Sequence, residues 1–111
     1  MNSVPLDDLT KSKFTELLNT RFQVSADSAE VVELELAAVT SNPAVAAGGE
    51  VVQFESFSLM FHGPGERLLP QKMYSFIHER LGKFQIFIVP VGREGNLFRY
   101  QAVFNRRIKP A

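Results

Sequence analysis

Cysteine and tryptophan are both absent from this sequence. Without cysteine there can be no disulfide, no thiolate nucleophile and no thiolate metal site, and the chain suits a reducing compartment. An excess of one charge is missing too. The 12 Lys and Arg balance 12 Asp and Glu, so no net field draws nucleic acid or an anionic membrane surface to the chain. No apolar run approaches the ~18 residues of a membrane span, and residues 1–13 lack a basic stretch followed by an apolar one. The expectation is a cytoplasmic protein that binds neither nucleic acid nor membrane.

What is abundant is phenylalanine. Ten Phe within a 45% hydrophobic composition indicate a globular chain with a phenylalanine core, and 111 residues suffice for one domain. Residues 1–8, with Pro5, read as an extended arm, residues 9–105 as a single globular domain and residues 106–111 as a short basic tail.

Along the chain, Thr10 is placed to cap a helix, with Leu9 and Phe14 as its hydrophobic staple. Phe14, Leu17 and Leu18 share one face, which predicts two to three helical turns ending near Asn19. From Thr20 the period changes to two. Phe22 and Val24 alternate with Arg21 and Gln23, then Val32, Leu34, Leu36 and Ala38 with Glu33, Glu35 and Ala37, as two strands of a hairpin turning at Asp27 and Ser28. Residues 41–50, with Asn42-Pro43 and Gly48-Gly49, predict a surface loop.

The densest patterning lies in residues 54–91. Phe57, Leu59 and Phe61 share a face, Phe54 is out of phase and suggests a bulge or a strand starting later, and Gly63-Pro64-Gly65 reads as a reversal. Residues 72–80 read as a strand, with a helix as the alternative; Tyr74, Phe76 and His78 lie on one side and Met73 and Ile77 on the other, and either side could face inward. The following run is apolar on both faces, with Phe84, Ile86 and Ile88 opposed to Phe87, Val89 and Val91, so the N-terminal helix is expected to cover its outer face. Pro90 places a strand end or an edge nearby. Residues 93–96 turn the chain into a last strand carrying Phe98, Tyr100, Ala102 and Phe104. The fold class is mainly β (α+β): about six antiparallel strands forming a small barrel or strongly bent sheet, with one N-terminal helix.

The order of these motifs is distinctive. Phe57-Ser58-Leu59-Met60-Phe61-His62-Gly63-Pro64, Leu69-Pro70-Gln71 with Tyr74, the run from Leu81 to Val91, and Tyr100-Gln101-Ala102-Val103-Phe104-Asn105 resemble a family of small bacterial domains of unknown function. The resemblance covers nearly the whole chain from Leu9 to Asn105. It implies no activity and no catalytic residue, and an assembly role alongside tail-collar-like or fibre-like proteins. Lys72 departs from the family pattern, where Gly would follow Gln71 and make a tight turn.

The sequence presents no recognisable catalytic constellation. The two histidines, His62 and His78, lack the further converging ligands of a zinc site. Ser56 and Ser58 sit in a strand between Phe residues, not in a G-x-S-x-G elbow. Gly63-x-Gly65 lacks the third glycine of a dinucleotide fingerprint, since Leu68 stands there, and no cofactor is expected. The reading is a non-enzymatic protein-interaction or assembly module. Its partner, another protein or a second copy, would be bound through a strand edge, residues 41–50, or residues 63–71. Candidate contacts are His62, Gly63, Pro64, Glu66, Arg67 and Gln71, with Tyr74 and His78 beside them. The alternative is a small-molecule-binding barrel, enzymatic or not, with His62, Tyr74, His78 and Tyr100 converging on a cavity.

Overall fold

The computed structural model of the chain describes residues 9–26, 30–41 and 54–107. The predicted arm, the Asp27-Ser28 turn and residues 42–50 of the predicted loop lie outside them. One helix, α1 (Lys11–Glu16), precedes six strands: β1 (Arg21–Ser25), β2 (Val31–Ser41), β3 (Phe54–Pro64), β4 (Lys72–His78), β5 (Gly82–Glu94) and β6 (Leu97–Arg107). All pairings are antiparallel, and the sheet closes into a barrel in the order β1-β2-β3-β6-β5-β4. Closure is made by β1 against β4, where Val24 lies opposite Phe76.

Alternation decides what the barrel contains. Inward-facing Phe22, Leu34, Phe57, Leu59, Phe61, Phe76, Phe84 and Tyr100 are all essentially inaccessible to solvent, and the interior is occupied by side chains. Their rings touch: Phe22 and Phe61 meet edge to face at 5.5 Å, and Phe61 and Phe76 lie 5.3 Å apart. Such contacts add about 0.5–1.5 kcal/mol per pair beyond area burial. Two long strands bend to reach both neighbours, each with a register shift: β2 between Leu36 and Ala38, and β5 between Pro90 and Gly92. Bulges of this kind sharpen curvature, as a small barrel requires.

The helix is shorter than its apolar spacing suggested, a single six-residue segment with residues 17–19 in a turn after it. Its start is as expected, since Thr10 Oγ1 accepts from the Lys13 N–H at 3.3 Å and both Leu9 and Phe14 are fully buried. Its location is not. Instead of covering the outer face of β5, α1 drives Phe14 into the barrel, against Phe22, Phe57, Phe84 and Phe104 at 5.4–6.4 Å between ring centroids. The exit is fixed by Asn19, whose φ of 66° is in the left-handed region that Asn tolerates, and by its N–H bond to the Leu36 carbonyl at 2.8 Å. The outer side of β5 therefore stays in contact with solvent, with Phe87 and Val91 both more than 40% exposed.

Phe54 and Gly63-Pro64 differ from expectation, and Pro90 meets one of its two alternatives. Phe54 marks neither a bulge nor a later strand start, since β3 begins there and pairs with β6 in unbroken register from Phe54 to Pro64. Gly63 and Pro64 are the end of β3, opposite Phe98 and Leu97, so the reversal begins at Gly65. Pro90 does not end its strand, which continues to Glu94. The pairing of β5 with β4 does stop at Ile88, so Pro90 has a partner strand only on the β6 side. Lys72 opens β4 opposite Ile88, and no tight turn is made there. Arg106 and Arg107, read as tail, belong to β6.

Candidate functional site

The register of β2 defines a seam. Its first half, residues 31–35, pairs with β1, whereas its pairing with β3 starts only at Glu35 opposite His62. Residues 31–34 thus have no partner strand on their β3-facing side among the described residues, and neither do Gly63 and Pro64 on theirs. Side-chain packing holds this seam in place of a ladder. A Cβ on Gly63 would stand 2.6 Å from Leu34 Cδ2 and 3.0 Å from Tyr100 Cε2, so only glycine lets these two side chains fill the space beneath the end of β3.

Above the seam lies an open groove of about 570 Å³. Its floor is β2 around Val31 and Glu33, its far wall His62, Gly63 and Pro64, and its ends Arg67 and Leu97. Val31 and Leu97 expose 59% and 41% of their surface, so the groove offers apolar area beside unpaired backbone. Ion pairs stand around it, Arg67 with Glu30 and Arg21 with Glu33 at 3.9 Å, and His62 Nε2 lies 3.5 Å from the Glu94 carboxylate. Arg99 Nε approaches the same carboxylate at 3.9 Å, is itself covered, and has no hydrogen-bond partner among the described residues. These pairs are exposed enough that each contributes under about 1 kcal/mol, and they can yield to an incoming polar group.

The candidate residues divide. His62, Gly63, Pro64 and Arg67 border the groove, while Glu66 and Gln71 are exposed in the connector and do not line it. Tyr74 and Tyr100 are buried and hold that connector. The Tyr74 hydroxyl donates to the Pro70 carbonyl at 2.6 Å, and the Tyr100 hydroxyl accepts from the Leu69 N–H at 2.9 Å. Burial pushes the Tyr100 hydroxyl above its ordinary pKa, the Leu69 hydrogen bond and the Arg67 charge opposing it. His62 faces outward, so His62, Tyr74, His78 and Tyr100 do not converge on one cavity. The groove residues contributed by β2 and β6, Val31, Glu33 and Leu97, were missed because each looks like an ordinary outward strand position. Only the long-range register brings them together. Among the described residues no group of three or more His, Asp or Glu side chains is placed to hold a metal ion.

Removing the Tyr100 hydroxyl leaves the buried Leu69 N–H without a partner. Tyr100→Phe is expected to lose about 1–3 kcal/mol in denaturant unfolding and to loosen residues 65–71, read as faster amide exchange at Leu69.

His78 has a structural role whose protonation state follows from its partners. Nδ1 accepts from the Arg80 N–H at 3.1 Å, so the ring proton is on Nε2, which donates to Thr20 Oγ1 at 2.9 Å. Thr20 in turn donates to the Leu17 carbonyl at 2.6 Å, tying the helix exit to β4. Burial, then the nearby Arg80 charge, lower the His78 pKa from 6.5, with Glu79 opposing. A base whose pKa is lowered by folding binds its proton more readily when unfolded. Its contribution is complete above the unfolded value of 6.5 and is lost as pH falls through the lower folded value. Urea unfolding at about pH 7.5 and about pH 5 is expected to show a loss on acidification that is smaller in His78→Gln.

The fold and seam define a class: small closed antiparallel β-barrels with a packed interior, one helix at a barrel end and a groove where two strands part. Within it, the chain belongs to the family described as Domain of unknown function (DUF6916), which matches residues 9–104. No curated protein and no solved structure matches the chain. No helix among the described residues is long and apolar enough to cross a membrane.

Proposed function

We propose that this chain is a non-enzymatic protein-interaction module that receives an extended segment of another protein along the seam between β2 and β3. The observation that supports this reading is the unpaired edge of residues 31–34, lying along a groove with exposed Val31 and Leu97. In strand addition the backbone edge supplies affinity, and pockets for alternate side chains supply selectivity. Here the apolar positions would take alternate side chains of the segment, and the ion pairs of Arg67 and Arg21, with the polar contact of His62, would re-form around its polar ones. In a bacterial multi-protein system, one with tail-like or fibre-like components included, such a module would join subunits without chemistry of its own.

A second reading has one observation in its favour. About 570 Å³ falls within the roughly 300–1,000 Å³ typical of small-ligand sites. The groove is open and its interior neighbour is a filled core, which suits an extended chain better than an enclosed small molecule. Both readings are tested by affinity purification of the tagged chain from its host, with a photo-crosslinking residue at position 31. The expected result is a stoichiometric partner crosslinked there and lost in Leu97→Glu. Crosslinking to no protein, combined with thermal stabilisation by a metabolite pool, would replace the first reading with the second.

A further inference from the structure

The backbone of β2 is turned in a definite way at the seam. The Leu36 N–H donates to the Thr20 carbonyl at 3.1 Å and the Ala26 N–H to the Glu30 carbonyl at 2.9 Å, with unbroken register between them. Bonded pairs alternate along an antiparallel ladder, so Val32 and Leu34 bond to β1 while Val31 and Glu33 turn their N–H and C=O groups toward β3. There the ladder stops for a chemical reason. Two residues beyond the pair of Glu35 and His62, the register sets Glu33 opposite Pro64, which has no N–H to donate. An added segment therefore bonds at residues 31 and 33, and its own side chains alternate between the barrel side and the outer side.

The two sides meet different chemistry. The barrel side is closed by Leu34 and Tyr100, both fully buried and packed so that a Cβ on Gly63 would stand within 3.0 Å of each. Inward positions of the segment are thereby restricted to small residues such as Gly, Ala or Ser. On the outer side β2 presents Val31, Glu33 and Glu35 in a row, all exposed. Of the two guanidiniums in the groove, Arg67 is engaged with Glu30 at its end, and Arg21 reaches Glu33 from β1, one strand or about 4.8 Å farther from the seam. Glu35 has no ion-pair partner among the described residues. Beside the seam itself, then, the charge is that of carboxylates, and the apolar area is that of Val31 and Leu97.

We infer that the seam selects a basic segment: a Lys or Arg on the outer side against Glu33 and Glu35, an apolar residue two positions away against Val31 and Leu97, and a small residue between them. The inference rests on the strand-addition reading and names what is added. An acidic segment would set its carboxylates beside those of β2, and like charges on neighbouring strands are destabilising. Exposed ion pairs add little affinity, so charge decides which segments are taken, while backbone and apolar contacts hold them.

The probe is an array of peptides of about ten residues, with Ala at alternate positions and Val, Leu, Ser, Lys or Glu at the others, presented to the labelled full chain. Peptides with Lys two residues from Val or Leu are expected to bind at least about tenfold tighter than their Glu counterparts at about 50 mM salt. Most of that margin should disappear at about 500 mM salt. Glu35→Gln should reduce the margin, and Glu35→Lys should turn the preference to the Glu peptides; the position is exposed, so both variants keep the fold. Binding that shifts the Val31 and Glu33 amides but shows no Lys preference, or a preference unmoved in Glu35→Lys, overturns the inference and leaves strand addition standing. If peptides of every composition leave those amides unmoved at about 1 mM, strand addition falls and the inference with it.

Discussion

Phe14→Ala is expected to be the most damaging single substitution in the described part of the chain, costing about 3–5 kcal/mol in denaturant unfolding. Against a typical total of about 5–15 kcal/mol, that is enough to leave the protein marginal. A six-residue helix has too few hydrogen bonds to persist by itself, so α1 is held by what it buries. Phe14 is its deepest residue and meets one ring from each of β1, β3, β5 and β6, at 6.4, 6.0, 6.1 and 5.4 Å. The pair formed by Phe57 and Phe104, stacked at 5.1 Å, loses its cover when Phe14 is truncated. Phe14→Leu keeps most of the volume and should cost markedly less, under about 1.5 kcal/mol if the neighbours repack. Equal losses in the two variants would mean that the aromatic contacts, not the filled volume, hold the helix.

The second large effect is expected at Gly63, by the opposite mechanism. Gly63→Ala introduces a methyl group 2.6 Å from Leu34 Cδ2 and 3.0 Å from the Tyr100 ring, both of which are fully buried. Neither side chain has free space to move into, so β2 and β3 must separate at the seam, at a cost of about 1–3 kcal/mol. The paired variant Gly63→Ala with Leu34→Ala tests the mechanism. Leu34→Ala by itself makes a cavity, but it removes the clash, so the two substitutions together should cost less than their sum. Strict additivity would place the penalty in the backbone of Gly63 rather than in crowding. Because this contact forms the base of the groove, Gly63→Ala should also weaken partner capture, even in protein that remains folded.

Local period was legible and long-range register was not. The alternation of Phe98, Tyr100, Ala102 and Phe104 against Arg99, Gln101 and Val103 gives β6 directly. The same rule gives β2, where buried Val32, Leu34 and Leu36 alternate with exposed Glu33 and Glu35. Strand count and mostly-β character follow from such patterns. The helix was misjudged in length and position because i, i+3, i+4 spacing states which residues are apolar, not whether a barrel end is open to take them. Gly63-Pro64-Gly65 has turn composition, yet Gly63 serves packing inside a strand, since its neighbours Leu34 and Tyr100 come from 29 and 37 residues away. The same limit hid the site. His62 and Arg67 could be suspected from their own loop, but Val31, Glu33 and Leu97 join them only once β2 is known to leave β3 at Glu35. The apolar outer face of β5 was visible from Phe87, Val89 and Val91. What covers it could not be read from the chain, and the helix does not.

Residues 31–34 form an open strand edge, which on the proposed function a partner closes. Amide hydrogen exchange measures this directly. In the free protein, the amides of residues 31–34 that do not bond to β1 are expected to exchange fast. Those of Phe57 to Phe61, paired on both sides, should exchange only on global unfolding. Addition of the captured partner should slow the seam amides to near the rate of β3 and leave the outer positions of β4 and β5 unchanged. Seam amides already as protected as β3 in the free protein, or unaltered by a bound partner, would contradict the account.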